Sequence, residues 1–179
     1  MHVRQFARSK KVITQAGNWR CGAINPKHKM GKDSFPLSKG RSFRLGNQWY
    51  WKVDHWSSDD GVGRLLMAYQ LAKGNYLAFI SVERGPKEYA IIVCLEYHGD
   101  HDGWHIHSGS GAVKEFAVGC TRQRIFGIRK PRKGAYSRPR KLQGGMVIDG
   151  FGMSQITAQN IAYKAFRVVN DTESGGLFE

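Results

Sequence analysis

Four of the seven histidines fall in one short string, His98-Gly-Asp100-His101-Asp102-Gly-Trp104-His105-Ile106-His107. His105 and His107 are two residues apart, so on a β-strand both imidazoles project from the same face, with Ile106 turned toward the core. Two imidazoles sharing a face form a ready pair of metal ligands. The turn expected at Gly99–Gly103 folds the preceding strand back, so His98 can bring a third nitrogen to the same face. Such a set leaves positions open for water or a phosphate oxygen. Asp100 or Asp102 can orient a ligand imidazole by accepting a hydrogen bond from its other nitrogen. A structural zinc site is the competing use of the same residues. A calcium loop is not, because the other oxygen ligands of that motif are missing.

The elements that must carry this cluster can be read from the flanking pattern. Glu88–His98 is apolar enough to be a central strand, and His105–Val113 is expected to return beside it. Tyr76–Glu83 reads as a further strand, with Arg84-Gly-Pro-Lys87 as the turn between. In Val62–Lys73, residues Val62, Leu65, Leu66, Tyr69 and Ala72 fit one face of a helix, with Gly74 as its stop. Ser154 is placed to cap a helix from Gln155 to about Val169. Ser42–Leu45, Gln48–Val53 and Arg124–Ile128 are strand-like. The expected class is α+β, an antiparallel β-sheet with helices packed on it.

Charge is segregated along the 179 residues, 28 Lys and Arg against 14 Asp and Glu, a net +14. Residues 1–52 carry twelve Lys/Arg and one acid, and residues 122–141 carry nine Lys/Arg and none. The chain therefore divides into a basic region, 1–52, packed on or flanking a core, and an α+β core, 53–179, with a basic loop at 122–141. The nine loop cations, Arg122, Arg124, Arg129, Lys130, Arg132, Lys133, Arg138, Arg140 and Lys141, suit a phosphate backbone. Trp19, Trp49, Tyr50, Trp51 and Trp56 are interleaved with charge. They can stack on bases or, more often for any one ring, fill a core. Three widely spaced cysteines, Cys21, Cys94 and Cys120, argue against thiolate zinc and for a reducing compartment. With no signal-peptide pattern and no apolar stretch of spanning length, the expected location is the cytoplasm, without a membrane partner.

The histidine string resembles the metal motif of the HUH endonuclease superfamily, in which two histidines flank a hydrophobic residue. The His98-to-His105 spacing is similar to the three-histidine motif of relaxases. The resemblance implies an antiparallel sheet flanked by helices, a divalent metal (Mg²⁺ or Mn²⁺, with Zn²⁺ possible) on His98, His105 and His107, and single-stranded DNA as substrate. It also implies a tyrosine nucleophile that leaves a covalent phosphotyrosine. Replication initiators of this kind carry that tyrosine on a helix after the histidines. Tyr163, beside Lys164, occupies such a helix, and Tyr69 is the second candidate. The implied role is DNA nicking and joining in plasmid or phage replication, mobilisation or transposition, with a helicase or other proteins of that process as partners. Two further readings stay open: a non-enzymatic nucleic-acid-binding protein with a structural histidine metal site, and a metal-dependent nuclease using activated water.

Overall fold

The computed structural model describes residues 1–21, 35, 45, 48–98, 103–108, 111–119 and 152–170. In chain order these form helix α1 (Val3–Arg8), strands β1 (Lys11–Gln15), β2 (Arg20–Cys21), β3 (Tyr50–Ser58), β4 (Gly61–Gln70), β5 (Asn75–Gly85), β6 (Glu88–His98) and β7 (Gly103–Ser108), a 3-10 turn at Val113–Glu115, helix α2 (Gln155–Phe166) and strand β8 (Val168–Val169). The strands make one sheet in the order β7-β6-β5-β4-β3-β1-β8, with β2 also on β3. Every described pairing is antiparallel except that of β1 with β8. The class is α+β with an antiparallel-dominated sheet.

Short turns set the register. Ser58 pairs with Gly61 across Asp59-Asp60, and Gly61 takes φ 135°, a conformation that a Cβ disfavours. Gly85 pairs with Glu88 across Pro86-Lys87, as the sequence predicts. Pro86 presets the first turn position, and Lys87 takes the left-handed second one at φ 61°.

Val62–Lys73 is not a helix. Gly61–Gln70 is strand β4, hydrogen-bonded along its length to β3 and β5. Leu65, Met67 and Tyr69 enter the apolar cluster on one face of the sheet, while Leu66 and Ala68 enter the cluster on the other. A strand covered on both faces is apolar at every position, and such a run matches a helical stripe by coincidence. Val62, counted in that stripe, is 50% exposed. Gly74, read as the helix stop, sits at φ 60° in the β4–β5 turn and donates its N–H to the Leu71 carbonyl. The return strand ends at Ser108 rather than Val113, which begins the 3-10 turn.

The first face of the sheet is covered by α1, α2 and the 3-10 turn, through Val3, Phe6, Val113, Ala158, Ile161, Ala162 and Phe166. The second face buries Trp51, Val53, Phe79, Ile91 and Cys94 under Phe35 and Leu45. Residues from the basic first 52 therefore contribute to both cores. Ser154 caps α2 as predicted, its Oγ accepting from the Thr157 N–H at 3.1 Å, and Arg167 ends the helix in the left-handed conformation. Among the described residues no helix is long and apolar enough to cross a membrane.

Lys11 fastens both helices to the sheet. Its ammonium, 0% exposed, donates to the carbonyls of Phe6 at 2.7 Å and Ser9 at 2.9 Å, and to that of Phe166 at 3.3 Å. These carbonyls lie at the C-terminal ends of α1 and α2, where orphan acceptors and the helix dipoles favour a cation. The ring of Phe6 lies 4.5 Å from the same nitrogen. Burial still lowers the Lys11 pKa from 10.5 to about 8, with Asp60 opposing and Arg167 assisting that shift. Between those values the unfolded chain holds a proton that the folded chain has released, so stability rises with pH. The difference in unfolding free energy between wild type and Lys11→Met is expected to shift in favour of wild type by about 3 kcal/mol from pH 8 to pH 10.5. Urea unfolding across that range measures it.

Candidate metal centre

Strands β6 and β7 pair with Cys94 opposite His107, Glu96 opposite His105 and His98 opposite Gly103. Residues opposite one another in an antiparallel pair share a face, and so do alternate residues on one strand. Cys94, Glu96, His98 and His107 thus belong to one face of the hairpin, the face on which Phe79 and Ile91 are buried further along the sheet. His105 takes its place opposite Glu96 through the backbone register, and its side chain lies outside the described part of the structure. Asp100 and Asp102 lie outside the described residues, as do the nine cations of 122–141.

Glu96 is the member that the histidine spacing alone did not supply. Its carboxylate is 2% exposed. Oε2 lies 3.2 Å from His98 Nε2 and 3.6 Å from His107 Nε2, while Oε1 accepts from the Cys94 thiol at 3.0 Å. The signal for it was an acid in the interior of the apolar strand Glu88–His98, since a carboxylate taken out of water requires a partner. Its two-residue offset from His98 then put it on the histidine face.

This donor set suits a divalent ion. Two imidazoles and a carboxylate are ligands for zinc and for manganese or iron. With metal–ligand bonds of about 2.1 Å, adjacent ligands of a tetrahedral or octahedral ion stand about 3.0–3.4 Å apart. The Glu96 contacts to the two rings, 3.2 and 3.6 Å, are close to that spacing. Among the described residues no three such groups already surround a single point. The contacts run pairwise, from the carboxylate to each ring, so a metal would replace them. Ile106, expected in the core, is instead 47% exposed, because β7 is the outermost described strand on its side of the sheet.

The tyrosines are not brought to these histidines. Tyr69 pairs with Tyr50 and Tyr76 on the helix-covered face, where it is 4% exposed. Its ring stacks on Tyr50 at 5.2 Å and meets Trp19 edge-on at 5.6 Å. Burial raises its pKa. Tyr163 lies on α2, over the same face. Its hydroxyl donates at 2.8 Å to Asp54 Oδ2, and burial together with the Asp54 charge pushes the phenol far above its ordinary pKa. Both shifts favour the neutral phenol. Lys164, next to Tyr163 on α2, is exposed.

Asp54 anchors a polar network of its own. It is 0% exposed and also accepts from the Gly17 N–H at 2.8 Å and from Lys52 at 3.2 Å. Lys52 in turn donates to Gln159 at 2.7 Å. Residues 52 and 54 are two apart on a strand, spanning about 6.7 Å, and 159 and 163 are four apart on a helix, spanning about 6 Å. The spacings match, so the pairs Lys52–Gln159 and Asp54–Tyr163 form two rungs that fix how α2 lies on β3. Gly17 comes so close that a Cβ there would meet the Val53 carbonyl oxygen at 2.1 Å.

Comparison of the chain with protein-family models, with curated proteins and with solved structures finds no match. The local chemistry thus carries the functional argument.

Tyr163→Phe is expected to lower stability by about 1–3 kcal/mol, because Asp54 loses a donor it cannot replace in the interior. Asp54→Ala should cost more, about 3–5 kcal/mol, by leaving the Lys52 ammonium buried without its counter-charge. Denaturant unfolding of the two variants beside wild type measures both.

Proposed function

We propose that this protein is a divalent-metal-dependent phosphodiesterase acting on single-stranded nucleic acid, with Glu96, His98 and His107 as the residues that hold the metal. The observation that carries the reading is one buried carboxylate oxygen flanked by two imidazole nitrogens, at 3.2 and 3.6 Å, on a single hairpin face. When bound, the metal supplies a Lewis acid for a phosphodiester oxygen and a water of lowered pKa.

The chain's own residues do the rest. The Cys94 thiol holds Glu96 Oε1, which leaves Oε2 turned toward the histidines. The His98 side chain is 24% exposed and that of His107 10%, so substrate approaches from the His98 side of the site. The net charge of +14 raises the local concentration of polyanions. Of the two routes open to such a site, activated water is favoured over a phosphotyrosine, because Tyr163 and Tyr69 belong to the other face of the sheet and their shifts favour the neutral phenol. This reading keeps the divalent metal that the HUH resemblance implies and puts activated water in place of its tyrosine nucleophile.

Incubation with labelled single-stranded DNA and Mn²⁺, followed by a denaturing gel, tests the reading. Cleavage without a protein–DNA adduct is expected. Tyr163→Phe, where it folds, should retain cleavage. Glu96→Gln and His107→Ala should each lower the rate by at least the 10–100-fold typical of losing a ligand's supporting partner. An adduct that disappears in Tyr163→Phe would restore the tyrosine route. A protein that binds DNA, never cuts it and unfolds on chelation would mark the metal as structural.

A further inference from the structure

A row of aromatic side chains crosses the helix-covered face of the sheet. The register sets Tyr50 beside Tyr69, Tyr69 beside Tyr76, Tyr76 beside Tyr97, and Tyr97 beside Trp104, one ring on each of β3 to β7. The middle of the row is sealed: Tyr69 is 4% and Tyr76 1% exposed, and the Tyr76 hydroxyl donates to the Ala158 carbonyl of α2 at 2.9 Å. At the β7 end the cover given by the described residues stops. Tyr97 and Trp104 are half-buried, and Ile106, next but one along β7 on the same face, is 47% exposed.

We propose that Tyr97, Trp104 and Ile106 form a stacking surface for the bases of a single-stranded nucleic acid, held on the reverse of the hairpin that carries Glu96, His98 and His107. The inference rests on the nucleic-acid reading given above and identifies the surface that engages the bases. The Trp104 ring is already oriented, 5.1 Å from Tyr97 and 5.4 Å from Tyr76, so little side-chain freedom is lost when a base lands on it. The three side chains carry no charge and offer flat apolar area, while the chain's excess of cations attracts the backbone. This division, charge for phosphates and rings for bases, is how sequence-tolerant single-strand binding is achieved. Because successive strand residues point to opposite faces, Trp104 and Ile106 flank His105. A strand passing over the β7 edge thus meets the ring surface on one side and the histidine face on the other.

The test compares full-length protein binding to a homothymidine oligomer and to an abasic oligomer of equal length, which has the same phosphates and no bases. Wild type is expected to prefer the homothymidine oligomer by about tenfold, within the range for stacking one base. Trp104→Ala should remove that preference and leave abasic binding unchanged, while Trp104→Phe should keep most of it. Ile106 is exposed enough to accept serine, so Ile106→Ser carries the same comparison if Trp104→Ala does not fold, with an expected loss of about threefold on the homothymidine oligomer alone. Equal wild-type affinity for the two oligomers overturns the stacking surface and leaves the nucleic-acid reading standing. Wild-type preference that survives in the folded variants also overturns it. Failure of wild type to bind either oligomer overturns both.

Discussion

A carboxylate withdrawn from water has to be answered by donors or cations, and among the described residues this happens twice, once on each face of the sheet. Asp54 and Glu96 are 0% and 2% exposed. Asp54 collects a backbone N–H, a phenol and an ammonium, each from a different part of the chain or side chain of the same strand. Glu96 collects a thiol and two imidazoles, all from the β6–β7 hairpin. The difference in partners explains the difference in role. The first set has its donors committed to protein oxygen and works as a fastening. The second is rich in groups that also ligate metals and reaches the surface through His98.

The strands β5 and β6 were legible because each is bounded by clear turn chemistry, Pro86-Lys87 between them and Gly74 before. The capped helix after Ser154 was legible for a similar reason, a hydroxyl at the N-cap ahead of an amphipathic run. Strand β4 was not, since burial on both faces erases the alternation that marks a half-exposed strand. Part of the candidate site followed from spacing alone, as His98 and His107 do share a face. Glu96 required a different inference, that a lone acid inside an apolar strand has a partner waiting. The Tyr163 contact with Asp54 was not legible, because a half-buried phenol on a polar helix face has the same sequence appearance whether it attacks a phosphate or donates to a buried aspartate.

The two faces also separate what the protein must keep rigid from what it can leave open. The helix-covered face carries the matched rungs of α2 on β3 and the Lys11 clasp, so α1 and α2 are fastened to the sheet by polar contacts as well as by packing. The histidine face of the hairpin has its polar groups near the end of β6, where the described sheet runs out. Placing Glu96, His98 and His107 on strands rather than on loops gives them the stiffness of the sheet while His98 remains partly exposed.

The parallel pairing of β1 with β8 has a consequence for how the chain acquires its shape. Lys11 and Val12 stand against Val168 and Val169, and the Lys11 ammonium uses the Phe166 carbonyl. The first strand thus lacks its outer neighbour, and a buried cation lacks one of its acceptors, until some 155 further residues have been synthesised. The antiparallel hairpins from β3 to β7 close locally and can form early, whereas the seam at β1 waits for the much later strand β8. Contacts of such sequence separation slow folding and leave an open strand edge during synthesis. Lys10, the exposed residue just before β1, sets a charge beside that edge, which discourages a second copy from pairing with it in the interval.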